Sequence, residues 1–205
     1  MGQSGGPTAV INASVCGVVQ EAFKHSCIEG IYGGLNGILG MLNEEIFDFR
    51  QEDPAVIDGL KHTPAAGLGT CRYKLDFKKK AERAAKDLDR LFDVFKAHNI
   101  RYFFYAGGND SQDTSHKIHL EAEKRGWEMR VIGVPKTIDN DLSCTDVTFG
   151  FDTAINIAME AAERVRTTVE SHRRIGVVET MGRHAGWIAC EVALAVGADY
   201  VLLPE

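Results

Sequence analysis

The segment PKTIDND, residues 135–141, follows directly on the apolar run at residues 131–134. Lys136, Thr137, Asp139 and Asp141 therefore leave the end of a strand together, a cation and a hydroxyl beside two carboxylates two positions apart. An open α/β sheet gathers its ligands at such strand ends. These groups suit a phosphorylated substrate: one carboxylate takes a proton, and the other holds a metal ion or a donor group. The plainer reading is an acidic surface turn with an Asx-type cap.

Other loops of similar chemistry weigh against the plainer reading. Residues 4–8 read SGGPT and open a helical stretch. Pro7 at the first helical position needs no donor, and the helix start aims free N–H groups at Gly5 and Gly6. The loop lacks the GK[ST] of a Walker motif and the GxGxxG of a dinucleotide fold, so it is either a different phosphate loop or a simple helix-start turn. Residues 107–110, GGND, come after a buried strand and resemble the GGD signature of several sugar, lipid and dinucleotide kinases, with the acid displaced by one position to Asp110. Arg72, in the polar segment of residues 69–74, is a lone cation. In residues 181–187, MGRHAGW, Gly182 permits close approach and Arg183 can meet a phosphate or hydroxyl, whereas His184 and Trp187 read as helix packing. Arg164, Arg166, Arg173 and Arg174 surround a helix end, where the dipole accounts for part of the cluster and leaves one arginine for a substrate phosphate.

The elements that must position these loops follow from periodicity. A helix over residues 8–25 can bury Val10, Ala13, Val18 and Phe23. A short strand at residues 28–32, a GGLNG loop at 33–37 and a helix over 54–61 come next. Residues 78–97 alternate charges with Leu88, Leu91, Phe92 and Phe95 at helical spacing, an amphipathic crossover helix. Strands at 102–105 and 131–134 each run into a polar turn. Helices over 152–168 and 185–196 then alternate with strands at 175–179 and 200–203. This alternation specifies α/β architecture: Rossmann-like parallel sheets with flanking helices. The boundaries fall at residues 1–139 and 140–205, the second domain being cut short. A glycine loop of the SGG kind normally follows a buried parallel strand, so a strand of about five to eight residues is expected to be missing ahead of it.

Composition narrows the function classes. At 205 residues the chain is long enough for a sizeable core, and its net charge of −6 disfavours nucleic-acid binding. No apolar run of membrane length and no signal pattern is present, which points to a cytoplasmic protein without membrane association. Cys16, Cys27, Cys71, Cys144 and Cys190 are odd in number and widely spaced, so they read as reduced thiols, mainly buried.

Taken in order, SGGPTAVINA, residues 69–74, GGNDS, PKTIDND, TDVTFGFDTA at residues 145–154 and MGRHAGW resemble the 6-phosphofructokinase family over nearly the whole chain. Asp110 and Lys136 match its pyrophosphate-dependent branch, where the ATP-dependent branch has glycine at both places. The resemblance implies a phosphofructokinase-type two-domain architecture, phosphoryl transfer from pyrophosphate to fructose 6-phosphate in glycolysis, Mg²⁺, and a homodimer or homotetramer. It makes Asp139 the general base, has Asp141 orient that base or hold the metal, and places Thr137 on the sugar or the transferred group. It gives Gly5, Gly6, Arg72, Gly108, Asp110 and Lys136 to the donor. Met181, Gly182 and Arg183 go to the sugar, and Arg174 to the 6-phosphate, on a neighbouring subunit. Asn109 departs from the usual metal-linked acid, leaving Asp110 as its substitute. An ATP-dependent kinase of the same fold and a non-catalytic sugar-phosphate-sensing subunit are the alternatives. A dehydrogenase is disfavoured by the absence of GxGxxG and of a ribose-binding acid.

Overall fold

A computed structural model describes residues 1–73, 75 and 81–205, and the chain divides into two compact units, Met1–Lys136 and Thr137–Glu205. Lys74 and residues 78–80, which belong to two of the segments named above, lie outside the described residues.

The first unit carries a five-stranded sheet in the order β3-β2-β1-β4-β5, made of β1 (Gly2–Gln3), β2 (Tyr32–Gly34), β3 (Ile46–Asp48), β4 (Tyr102–Gly107) and β5 (Arg130–Pro135). The strand expected ahead of the glycine loop is represented by two residues, Gly2–Gln3, which hold the centre of the sheet, pairing parallel with Gly34 on one side and with Tyr105 and Ala106 on the other. It meets only the last part of β4. Below it, at the amino ends of the strands, a cavity of about 620 Å³ is lined by Met1, Ile31, Tyr32, Tyr102 and Phe104. One expectation is corrected here: the sheet is not wholly parallel, because β3 runs antiparallel to β2. Only the short helix α2 (Ile38–Leu42) separates them, and a parallel return needs a crossover of roughly a dozen residues or more. The strand expected at residues 28–32 sits slightly later, where pairing with both β1 and β3 sets its register.

Helices cover both faces. On one, α4 (Ala81–Ala97) turns Leu88, Leu91, Phe92 and Phe95 inward, as their spacing predicts, against Phe103 and Tyr105 of β4 and Ile118 of α5 (Asn109–Lys124). Burying each such large side chain contributes about 1.5–3 kcal/mol. On the other, α1 (Ala9–Ala22) packs with Ile31, Phe49, Leu68 and Ile57 of α3 (Pro54–Gly59). Its buried stripe is Ile11, Val15, Cys16 and Val19 rather than Val10, Ala13, Val18 and Phe23. Apolar residues surround most of this helix, so several faces satisfy the same spacing.

In the second unit, α6 (Phe151–Ser171) and α7 (Trp187–Val196) pack through Ala162, Ile188 and Val192, with Ile138 against them. The strands expected at 175–179 and 200–203 do not form. No ladder includes these residues, and Ile175, Val177, Tyr200 and Leu202 are almost fully exposed. An apolar run becomes a strand only when a neighbour supplies hydrogen bonds.

Among the described residues no helix is long and apolar enough to cross a membrane. All five cysteines are free thiols, but only Cys16 is fully buried, and Cys27 and Cys144 are exposed, against the expectation of mainly buried thiols.

Candidate active site

The strand order reverses between β1 and β4, with β2 on one side and β5 on the other. The crevice outside the carboxyl ends of strands at such a reversal is where open α/β sheets bind ligands. The SGG loop leaves β1 there, the GGND turn leaves β4, and Lys136 follows β5.

Buried polar side chains anchor these loops. Gln3, fully buried at the end of β1, donates to the Ile11 carbonyl at 3.1 Å and to Asn12 Oδ1 at 2.8 Å, and accepts from the Leu68 N–H at 2.9 Å. Asn12 Oδ1 also accepts from the Gly67 N–H at 2.7 Å, while its Nδ2 donates to the Thr63 carbonyl at 2.8 Å. Both ends of the glycine loop are thereby tied to the segment that carries Arg72. The tie continues upward. The Ser4 N–H donates to the Ala106 carbonyl at 2.8 Å, the Gly5 N–H to the Cys71 carbonyl at 3.0 Å, and the Thr70 hydroxyl to the Gly5 carbonyl at 2.7 Å.

Two glycines are required by this geometry. Gly5 sits at φ +78°, and a Cβ there would lie 3.3 Å from Lys136 Nζ. Gly107 lets two loops interlock, since its Cβ would fall 2.1 Å from Ser111 Oγ and 3.2 Å from Ser4 Cβ. Its carbonyl accepts from the Lys136 N–H at 3.2 Å and from Gln112 Nε2 at 3.0 Å. The Lys136 side chain then reaches back over the first loop, and its Nζ donates to the Gly6 carbonyl at 2.6 Å.

The site's electrostatics come from backbone as well as side chains. Thr8 caps α1 and Gly108 caps α5, and neither gives its helix a side-chain cap bond. Amide groups at two helix starts, with their dipoles, favour an anion. A Cβ on Gly6 or Gly108 would meet nothing within 4 Å, so backbone faces open space at both points. Arg72 is exposed, as is Asp110 in the first turn of α5. Burial holds the Tyr105 phenol, in the middle of the sheet, well above its ordinary pKa.

The second unit begins with Thr137. Its hydroxyl accepts from the Asp139 N–H at 3.2 Å, and Asp139 and Asp141 are half-buried. Asn140, between them, has a left-handed backbone with φ +56°. Further on, the Ala185 N–H donates to the Gly182 carbonyl at 2.9 Å, closing a turn in which Arg183 is exposed and Met181 is 70 % exposed. Arg174 stands exposed just beyond α6. The structure thus brings Gly5, Gly6 and Lys136 into direct contact and sets Gly108 and Asp110 on the adjoining turn. The two expected metal residues, Asp110 and Asp141, fall in separate units. Sequence reasoning passed over Ser4, Thr70, Gln112 and Asn140. For Thr70 the signal was its place between Gly69 and Arg72.

The family model for phosphofructokinase matches residues 1–205. A relative from Halomonas elongata, named pyrophosphate--fructose 6-phosphate 1-phosphotransferase, is 46 % identical over 198 residues, covering 94 % of this chain and 46 % of the relative. A relative of the same name from Methylococcus capsulatus is also 46 % identical, over 99 % of this chain and 50 % of its own length. The crystal structure of a pyrophosphate-dependent phosphofructokinase from Nitrosospira multiformis superposes with a TM-score of 0.80 at 43 % identity, over 95 % of this chain and 48 % of that one. Relatives named ATP-dependent 6-phosphofructokinase match at 36–39 %. The chain spans about half the length of these curated relatives. With a switch-point crevice ringed by glycine turns and a family match over every residue, the chain belongs to the phosphofructokinase family.

Proposed function

We propose that this protein transfers a phosphoryl group from inorganic pyrophosphate to the 1-hydroxyl of fructose 6-phosphate, giving fructose 1,6-bisphosphate and phosphate, as a cytoplasmic homodimer or homotetramer. The observation that carries this reading is the seat of Lys136, whose ammonium stands on the glycine loop at Gly6 while Asp110 occupies the adjoining donor turn. An ammonium there binds a phosphate of a short donor. A carboxylate in the donor turn repels the α-phosphate of a nucleotide, and like charges at short range in a partly desolvated site cost several kcal/mol. Pyrophosphate has no such third group to repel. The names of the relatives at 46 % identity agree with this donor.

Residues 1–139 serve the donor and residues 140–205 begin the sugar site. Gly5, Gly6, Gly108 and Arg72 cradle pyrophosphate through backbone N–H groups and a guanidinium. Asp139 accepts the proton of the sugar 1-hydroxyl as it attacks, Asp141 orients that base or helps to hold the metal, and Thr137 holds the sugar hydroxyl or the moving phosphoryl group. Met181, Gly182 and Arg183 contact the sugar, and Arg174 meets the 6-phosphate in a neighbouring subunit. The transfer is direct and in line, a matter of placement and charge neutralisation.

Asp110 and Asp141 would hold Mg²⁺, which neutralises charge on the phosphates when bound. The donor set fits a hard cation that takes one or two carboxylates and otherwise uses phosphate oxygens and water. Among the described residues no group of three or more His, Cys, Asp or Glu assembles into a protein-only cage, and a phosphate-borne ion requires none.

The test is donor-dependent turnover by the full-length enzyme in a coupled assay. Turnover with pyrophosphate and little with ATP is expected. ATP as the better donor would overturn the donor assignment, and fructose 6-phosphate binding without turnover by any donor would favour a regulatory subunit.

A further inference from the structure

We infer that Asn140 is a positioning residue that fixes the two carboxylates of the acceptor-side turn by clamping that turn to the start of α6; this rests on the phosphotransfer reading above. Asn140 lies between Asp139 and Asp141 with φ +56°, a region that Asn tolerates and most side chains avoid. One left-handed residue between two others sets the angle at which their side chains leave the backbone. Its Oδ1 accepts from the Thr148 N–H at 2.9 Å. A backbone N–H can only donate, so the amide oxygen must face it and the orientation of the Asn140 side chain is settled.

Thr148 is a firm anchor. It is 5 % exposed, and its carbonyl accepts from the N–H of Phe151, the first residue of α6, at 3.2 Å. The Ala154 N–H reaches the Gly150 carbonyl at 2.9 Å, so the segment ending at Gly150 is continuous with the helix. On the other side of the turn, Ile138 packs against the α6–α7 core, and the Asp139 N–H donates to the Thr137 hydroxyl at 3.2 Å. The turn is therefore held at Thr137, at Ile138 and at Asn140. Only the last of these acts beyond Asp139 and so constrains both carboxylates. A proton acceptor in an in-line transfer must be closely placed, and a misplacement of about 1 Å costs about a hundredfold in rate. Asn140 neither donates nor accepts the transferred proton; it acts through Asp139 and Asp141.

The experiment compares Asn140→Ala, Asn140→Gly and Asn140→Asp in the full-length enzyme, measuring kcat, KM for each substrate and amide hydrogen exchange at Thr148. Ala loses both the left-handed preference and the acceptor, Gly keeps the backbone only, and Asp keeps both. The expected kcat falls about a hundredfold in Ala, about tenfold in Gly and about threefold or less in Asp, with each KM within about threefold of the parent. Protection of the Thr148 amide should be lost in Ala and Gly and kept in Asp. An Ala variant with the parent kcat, a loss confined to KM, unchanged Thr148 exchange, or Gly and Asp no better than Ala would each overturn the inference. A parent enzyme that moves no phosphate to fructose 6-phosphate sinks the phosphotransfer reading instead, and Thr148 exchange still reports whether Asn140 holds the turn.

Discussion

Lys136 Nζ stands 2.6 Å from the carbonyl of Gly6, so the cation that follows β5 rests on the loop that follows β1. The end of β4 lies between those two strands, and the lysine stem spans it. Its own N–H is bonded at 3.2 Å to Gly107, the last residue of β4, so one residue bridges all three loops of the crevice. Chain geometry fixes where this ammonium stands, and on the proposed reading its position selects the donor.

Replacing Lys136 with alanine should lower kcat/KM for pyrophosphate about 10- to 100-fold, the usual worth of one charge-assisted contact. KM for fructose 6-phosphate should change little. Asp110→Gly combined with Lys136→Gly should raise the ATP to pyrophosphate ratio of kcat/KM. Steady-state assays with each donor check both.

Asp139→Asn should reduce kcat about 10²- to 10⁴-fold while each KM stays within a few-fold, because the amide keeps the shape but cannot take the proton. Substrate binding measured by calorimetry should survive the substitution.

Gly5→Ala combines a left-handed backbone with a new methyl 3.3 Å from Lys136 Nζ. Destabilisation of about 1–2 kcal/mol is expected from the backbone alone, together with a raised KM for pyrophosphate. Urea unfolding and donor kinetics separate the two effects.

Much of this was legible in the sequence and some was not, for physical reasons. Around Leu88, Leu91, Phe92 and Phe95 most other positions of α4 are charged, so only one face could be buried, and the spacing identified it. In α1, Val10, Ile11, Val15, Val18 and Val19 surround the helix, and the choice among faces falls to the sheet beneath. Val177 and Leu202 sit in runs of strand composition, yet strands are made by partners, which local sequence does not disclose. The glycine turns could be found from residue types, because a left-handed or crowded backbone position leaves few other choices. Thr70 escaped because its partner, Gly5, is distant in the chain, and Asn140 because its bond to Thr148 depends on how the intervening turn folds.

Asn12→Ala should destabilise the fold by about 1–3 kcal/mol, since the buried Gln3 amide and the Gly67 N–H each lose an acceptor. Denaturant midpoints measure this, and the loss should appear even without substrates.

Thiol labelling should be ordered by exposure. Cys27 and Cys144 should react first with an aromatic disulfide at about pH 8. Burial pushes the Cys16 thiol above its ordinary pKa, so less thiolate forms at a given pH, and Cys16 should react only on unfolding. Mass spectrometry of time-quenched samples reads the order.

Each loop of the crevice begins where its strand has already ended. Exchanging one or two side chains there leaves the ladder and the helix contacts as they were. On the proposed reading, preference for one phosphoryl currency over another is therefore written separately from the scaffold, and it can change without refolding.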